Sequence, residues 1–208
     1  MDWIAANSEL LNVAANVGML VVWVTYLQVF LAGYNRQKKA KILINLGGGV
    51  GLQAHCLVTN MSAEPVYIHT LTAHLRFPSG SISAPVTELG EAEKWLEPSE
   101  LNLWTRQGPL ESGRVRDMGT MQSIIDHVRH QSPTSKSFWQ ENPEAIRLRI
   151  VAEYGSEDLL VGAERDFDLK LKGGEVHLRP QTLTAVQIRS PGERRQMIDE
   201  LMKQERQP

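Results

Sequence analysis

The 26 residues from Leu10 to Asn35 contain no charge. Within them Val13–Tyr34 is mostly Val, Leu, Ala and aromatic. As a helix rising 1.5 Å per residue, that stretch is about 33 Å long, enough to cross a ~30 Å hydrocarbon core. A buried helix of the same length in a soluble protein would present charges on its outer face. A secretory signal would begin basic, carry a shorter apolar core and end in a small-residue cleavage site. Here the start is acidic, with Asp2 and Glu9, and the apolar run is too long. The expectation is one transmembrane helix over 10–35.

The flanks orient it. Arg36, Lys38, Lys39 and Lys41 follow the run, whereas residues 1–9 hold no Lys or Arg. Positive charge stays on the cytoplasmic side, so residues 1–9 are read as a short extracytoplasmic tail and 36–41 as a basic juxtamembrane linker. The expected location is a bacterial-type inner membrane, crossed once, with the N-terminus outside and the C-terminal domain in the cytoplasm. Trp3 and Tyr34 fall near the two boundaries, where amphipathic rings settle.

One face of the run is small or polar. Ala14, Gly18, Val21, Thr25, Gln28 and Ala32 recur at spacings of three and four and continue to Asn35, while Leu20, Trp23, Leu27, Phe30 and Tyr34 fall opposite. In lipid such a seam lets helix backbones approach, and Thr or Gln can bond across the contact. The expected partners are therefore the lipid bilayer and either a second copy or another transmembrane helix. The plainer reading is an anchor whose small residues fall in register by chance.

Residues 42–189 alternate with period 2 in several segments, the pattern of half-buried strands. Leu52–Val58, Val66–Phe77, Ile146–Ala152 and Phe167–Leu171 all do so, and the apolar phase slips between Ile68 and Leu71, as a β-bulge near Thr70 would cause. Turn residues separate the runs at Asn60–Pro65, Tyr154–Asp158 and Lys172–Glu175. The expected fold is mainly β, an antiparallel sandwich with an inserted helix and a C-terminal amphipathic helix. The insertion is placed at about 107–143, where Met118, Met121, Ile124, Ile125 and Val128 take helical spacing. Over 190–208, Ser190-Pro-Gly-Glu193 is a capping box with proline at the first helical position. The Met197, Ile198, Leu201, Met202 stripe after it is read as docking on the protein's own sheet.

The run Leu57–Ile68, strand, turn, strand, resembles the B–C hairpin of immunoglobulin-like domains. Trp95–Leu101 is similar to the turn before a later strand there. The resemblance is one of strand rhythm across about 42–171. It implies an immunoglobulin-like β-sandwich and assigns no functional residue, because the Cys…Trp…Cys hallmark is absent.

Charge and cysteine usage exclude several classes. With 22 Lys+Arg against 24 Asp+Glu the net charge is −2, and no basic stripe for nucleic acid is present. The lone Cys56 permits no internal disulfide and no cysteine-rich zinc motif, and its apolar phase marks it as a small buried hydrophobe. Gly47–Gly51 lacks the Lys-Ser/Thr ending of a phosphate loop, and with Leu52 opening a strand it reads as a strand turn. His127 and His130 lie at i,i+3 beside Asp126, and His55, His69 and His74 could share a strand face. Three zinc ligands do not assemble from the spacing alone. Asp166 and Asp168 share a strand face without a recognisable base or nucleophile. No catalytic, cofactor or metal residue is assigned. Trp95, Leu96, Leu101 and Trp104, framed by five glutamates in 87–106, are the candidate loop for an unidentified cytoplasmic protein. The functional expectation is a membrane-tethered, non-catalytic interaction module of a signalling, transport or defence assembly. The alternative is a membrane-anchored, metal-dependent hydrolase using the histidines.

Overall fold

In the computed structural model, residues 7–37, 39–86, 105–131, 141–155 and 159–205 are described. The chain divides into two units, 1–39 and 40–208. The first holds an unbroken helix, α1, Ser8–Gln37, of which Ser8–Tyr34 has the length and apolarity to cross a membrane. From Glu9 to Tyr34 its side chains are exposed.

The second unit is mainly β. In chain order it comprises β1 (Ile42–Gly47), a 3-10 turn (Gly51–Gln53), β2 (His55–Asn60), β3 (Val66–Phe77) and β4 (Gly80–Pro85). Then come β5 (Gly108–Leu110), β6 (Val115–Thr120), α2 (Met121–Gln131), β7 (Ala145–Tyr154) and β8 (Val161–Lys172). The series closes with β9 (Glu175–Pro180), β10 (Val186–Ile188) and α3 (Pro191–Glu205). Two antiparallel sheets result. The smaller runs β1-β2-β6, and the larger runs β10-β8-β7-β3-β4, with β5 also on β3 and β9 also on β8.

Period-2 alternation places the core. Ile42, Ile44, Cys56, Val58 and Met118 from the small sheet are buried in one cluster with Leu71, Leu75, Ile146, Leu148, Ile150 and Phe167 from the large one. On β3 the buried set passes from Val66 and Ile68 to Leu71, Ala73, Leu75 and Phe77. The bulge responsible lies between Ile68 and Thr70, where the pairing with β7 shifts. The Lys172–Glu175 reversal is a two-residue turn in which Gly173 and Gly174 both have positive φ, as the twist of a tight hairpin requires.

Three sequence expectations need correction. Leu57–Ile68 is not a hairpin, because β2 and β3 belong to different sheets and do not pair. The buried Asn60 fixes that crossing: its amide donates to the carbonyls of Glu64 and Leu110, and its oxygen accepts from the Ser62 N–H. Leu52 does not open a strand. Gly51, at φ +58°, starts a 3-10 turn that brings its backbone under the Val176 carbonyl, and β2 begins at His55. The inserted region is only partly helical, since β5 and β6 precede α2. Met118 lies within β6, and the remaining four apolar residues form the buried stripe of α2.

The C-terminal helix behaves as its cap implies. Ser190 Oγ receives the Glu193 N–H at 3.3 Å and lies 2.7 Å from the Glu193 carboxylate, which also accepts from the Ser190 N–H. Met197 is buried over Gly162 of β8, where a Cβ would approach its sulfur to 2.6 Å. Glu200 accepts from Arg149 of β7 at 2.5 Å.

Candidate functional site

Ala14, Gly18, Val21, Thr25, Gln28 and Ala32 all lie on α1 and are exposed, and a Cβ built on Gly18 meets nothing within 4 Å. Thr25 already donates its hydroxyl to the Val21 carbonyl at 2.8 Å, one turn back. Phe30 and Tyr34 on the other face stack, with ring centroids 6.4 Å apart. Arg36 belongs to the last turn of α1, Lys39 and Lys41 are exposed, and Lys38 lies outside the described residues. The candidate partner loop, Trp95, Leu96, Leu101 and Trp104, also lies outside them.

The strand that follows Lys41 is secured on both sides. The Lys41 N–H donates to Ser62 Oγ and its carbonyl accepts from Met61. On the side of β1 away from β2, Ile42 N–H donates to Gln187 Oε1, and Gln187 Nε2 donates back to the Ile42 carbonyl. Arg165 of β8 reaches the Ile44 carbonyl, Asn45 Oδ1, and the carbonyls of Thr182 and Leu183. At the other edge of the small sheet, Arg106 donates to the Met118 carbonyl at 2.6 Å, and Arg116 to the carbonyls of Arg106, Gln107 and Pro109. Side chains thus satisfy edge groups that would otherwise invite another strand. These residues read as ordinary polar positions in the sequence. Their only signal is an Arg or Gln next to an apolar strand.

The histidines do not converge. His55 sits on β2 and pairs with Asp117 of β6 at 2.7 Å, whereas His69 and His74 sit on β3 in the other sheet. His69 pairs with Glu153 at 3.3 Å. His74 is largely buried, and burial together with Arg149 and Arg147 holds its pKa below the ordinary histidine value, with Glu164 and Glu200 opposing. Among the described residues no three His, Cys, Asp or Glu side chains stand where one metal ion could be held. Asp166 is bound by Arg147 at 2.7 and 3.2 Å, and Asp168 accepts from Gln181. Cys56 is fully buried, and burial, then the Asp117 charge, push its thiol up to about 12. A thiol so placed is a packing group.

Comparison with known proteins places the chain in no group: no family model, no curated protein and no solved structure matches it.

Proposed function

We propose that this protein is a membrane-tethered interaction module, a non-catalytic component of a signalling, transport or defence assembly. The single observation that carries the reading is α1, an unbroken helix whose apolar stretch is exposed from Glu9 to Tyr34, with the four cations of 36–41 at its C-terminal end and no Lys or Arg before it. In this reading α1 crosses a bacterial inner membrane once, residues 1–9 face outward and the β domain lies in the cytoplasm. The seam on α1 contacts a second copy or another membrane helix, and the surface loops engage a cytoplasmic protein. The immunoglobulin-like character of the sandwich belongs to the same proposal. It is supported by the change of sheet between β2 and β3, which strands B and C of such domains also make.

Impermeant thiol labelling of intact cells tests the tether and its orientation together. Ser8→Cys should react from outside, and Leu183→Cys, at a position 94% exposed, should react only after lysis. The native Cys56 is buried and stays silent in both. Labelling of Leu183→Cys in intact cells would reverse the orientation. Recovery of the protein in the soluble fraction would remove the tether.

A further inference from the structure

On the outer face of the large sheet, β3, β4, β7 and β8 bound a depression of about 210 Å³. Its wall is built by register. Arg76 of β3 stands opposite Ser81 of β4, His74 lies two residues back on the same face, and Arg147 of β7 is the cross-strand neighbour of His74. Asp166 of β8 and Gln181 complete it.

Three polar side chains here are unused. The Arg76 guanidinium and the Ser81 hydroxyl make no hydrogen bond or ion pair among the described residues. The His74 imidazole has a buried Nε2 without a partner. The one carboxylate in the wall, Asp166, has both oxygens occupied by Arg147. Gln181 keeps its side-chain amide on Asp168 and its N–H on the Asp166 carbonyl. The hollow therefore has one uncompensated positive charge, Arg76, set beside a free hydroxyl. A planar guanidinium fork with a neighbouring hydroxyl matches the several acceptor oxygens of a tetrahedral anion better than a single carbonyl. The volume suits an ion or a terminal group of that size and falls short of a typical drug-sized pocket of roughly 300–1,000 Å³.

We propose that this depression binds a phosphate-type oxyanion, with Arg76 as the charged fork and the Ser81 hydroxyl as the flanking donor. The inference is independent of the membrane reading, because every residue in it belongs to the β domain. The charges facing His74 are Arg147 and Arg149 from β7, Glu164 and Asp166 from β8, Glu200 from α3 and Arg76 from its own strand. Of these, Glu164, Asp166 and Glu200 are already bound by Arg147 or Arg149. An arriving anion thus meets neutralised acids and one free cation.

The test is calorimetric titration of the full-length protein in neutral-lipid nanodiscs with inorganic phosphate, against chloride at equal ionic strength. Saturable binding is expected. Arg76→Gln should weaken it about tenfold, since a charge-assisted bond is lost, and Ser81→Ala should weaken it less. Arg76 is exposed, so its replacement leaves the fold intact. Arg195→Gln on the exposed side of α3 removes the same charge elsewhere and should change nothing. No binding at ~10 mM phosphate, where even a millimolar site would saturate, overturns the proposal. So does equal binding by Arg76→Gln and Arg195→Gln. Repeating the titration in nanodiscs containing phosphatidic acid distinguishes the source. An unchanged affinity assigns the site to a dissolved phosphate, and competition that Arg76→Gln abolishes assigns it to a lipid headgroup.

Discussion

Gln187 meets Ile42 as a strand would: its amide oxygen takes the Ile42 N–H at 3.0 Å, and its amide nitrogen gives a proton to the Ile42 carbonyl at 2.6 Å. The two residues are 145 positions apart in sequence. One side chain so replaces a rung of ladder on the outer edge of β1. Gln187→Leu fills similar space but leaves both backbone groups of a buried residue unpaired. We expect a loss of about 1–3 kcal/mol in denaturant unfolding of the full-length protein. A change below half a kilocalorie would mean that water serves this edge equally well.

Cys56 gives a prediction in pH. Its pKa is raised in the fold, from an ordinary 9.0 to about 12, so the folded state favours the protonated thiol. The stability linked to it is fully present below pH 9 and is lost as the pH rises from about 9 toward 12. Cys56→Ser and Cys56→Ala should both flatten the alkaline decline seen between those values. Thiol labelling of the native protein at pH 8 should be slow, and should become fast only in denaturant. Rapid native labelling would contradict the burial.

The seat of α3 is a third case. Gly162→Ala places a methyl against the Met197 sulfur, the Ile188 side chain and the Ile150 carbonyl. Overpacking of this kind costs roughly 1–3 kcal/mol. Amide exchange in α3 should quicken well before exchange in β7. The Arg149 guanidinium also holds the Glu200 carboxyl below its usual 4.5, so the Glu200 contribution is present above that pH and fades as the pH falls through the lowered value. Glu200→Gln should remove that acid sensitivity of α3. Uniform exchange across α3 and β7 in Gly162→Ala would show that the helix does not release separately.

Association through α1 is the fourth. Gly18→Leu removes a close approach and Gln28→Leu removes a possible bond across the contact, an interaction worth ~0.6–2 kcal/mol. Leu27→Ala on the bulky face is the control. An in-membrane association reporter should rank the first two below the third. Equal signals for all three and the parent would leave α1 as an anchor alone.

Local chemistry was legible; long-range pairing was not. The alternation of Ile146–Ala152 gave the core face of β7, and the slip between Ile68 and Leu71 marked a real bulge, because both are set by neighbours two residues apart. The Ser190–Glu193 cap and the Gly173–Gly174 turn are equally local. The sheet in which each strand lies depends on partners far along the chain, so the β2–β3 run read as a hairpin. Arg106, Arg116, Arg165 and Gln187 carry no such signal, because nothing near them in sequence announces the carbonyls they reach. Arg76 and Ser81 were missed for the same reason: their neighbourhood exists only once β4 has folded back on β3.

The fastening of β1 also has a mechanical meaning. This strand is the first part of the β domain that any tension drawn through α1 would reach, since only 38–41 separate them. At its first residues the load divides among Ser62, Met61, Gln187 and the rungs to β2, which lie on opposite flanks. A strand held on one flank unzips one bond at a time. Gripped on two, β1 must surrender several bonds together, so a tug on α1 is resisted at its attachment before it can open the core behind it.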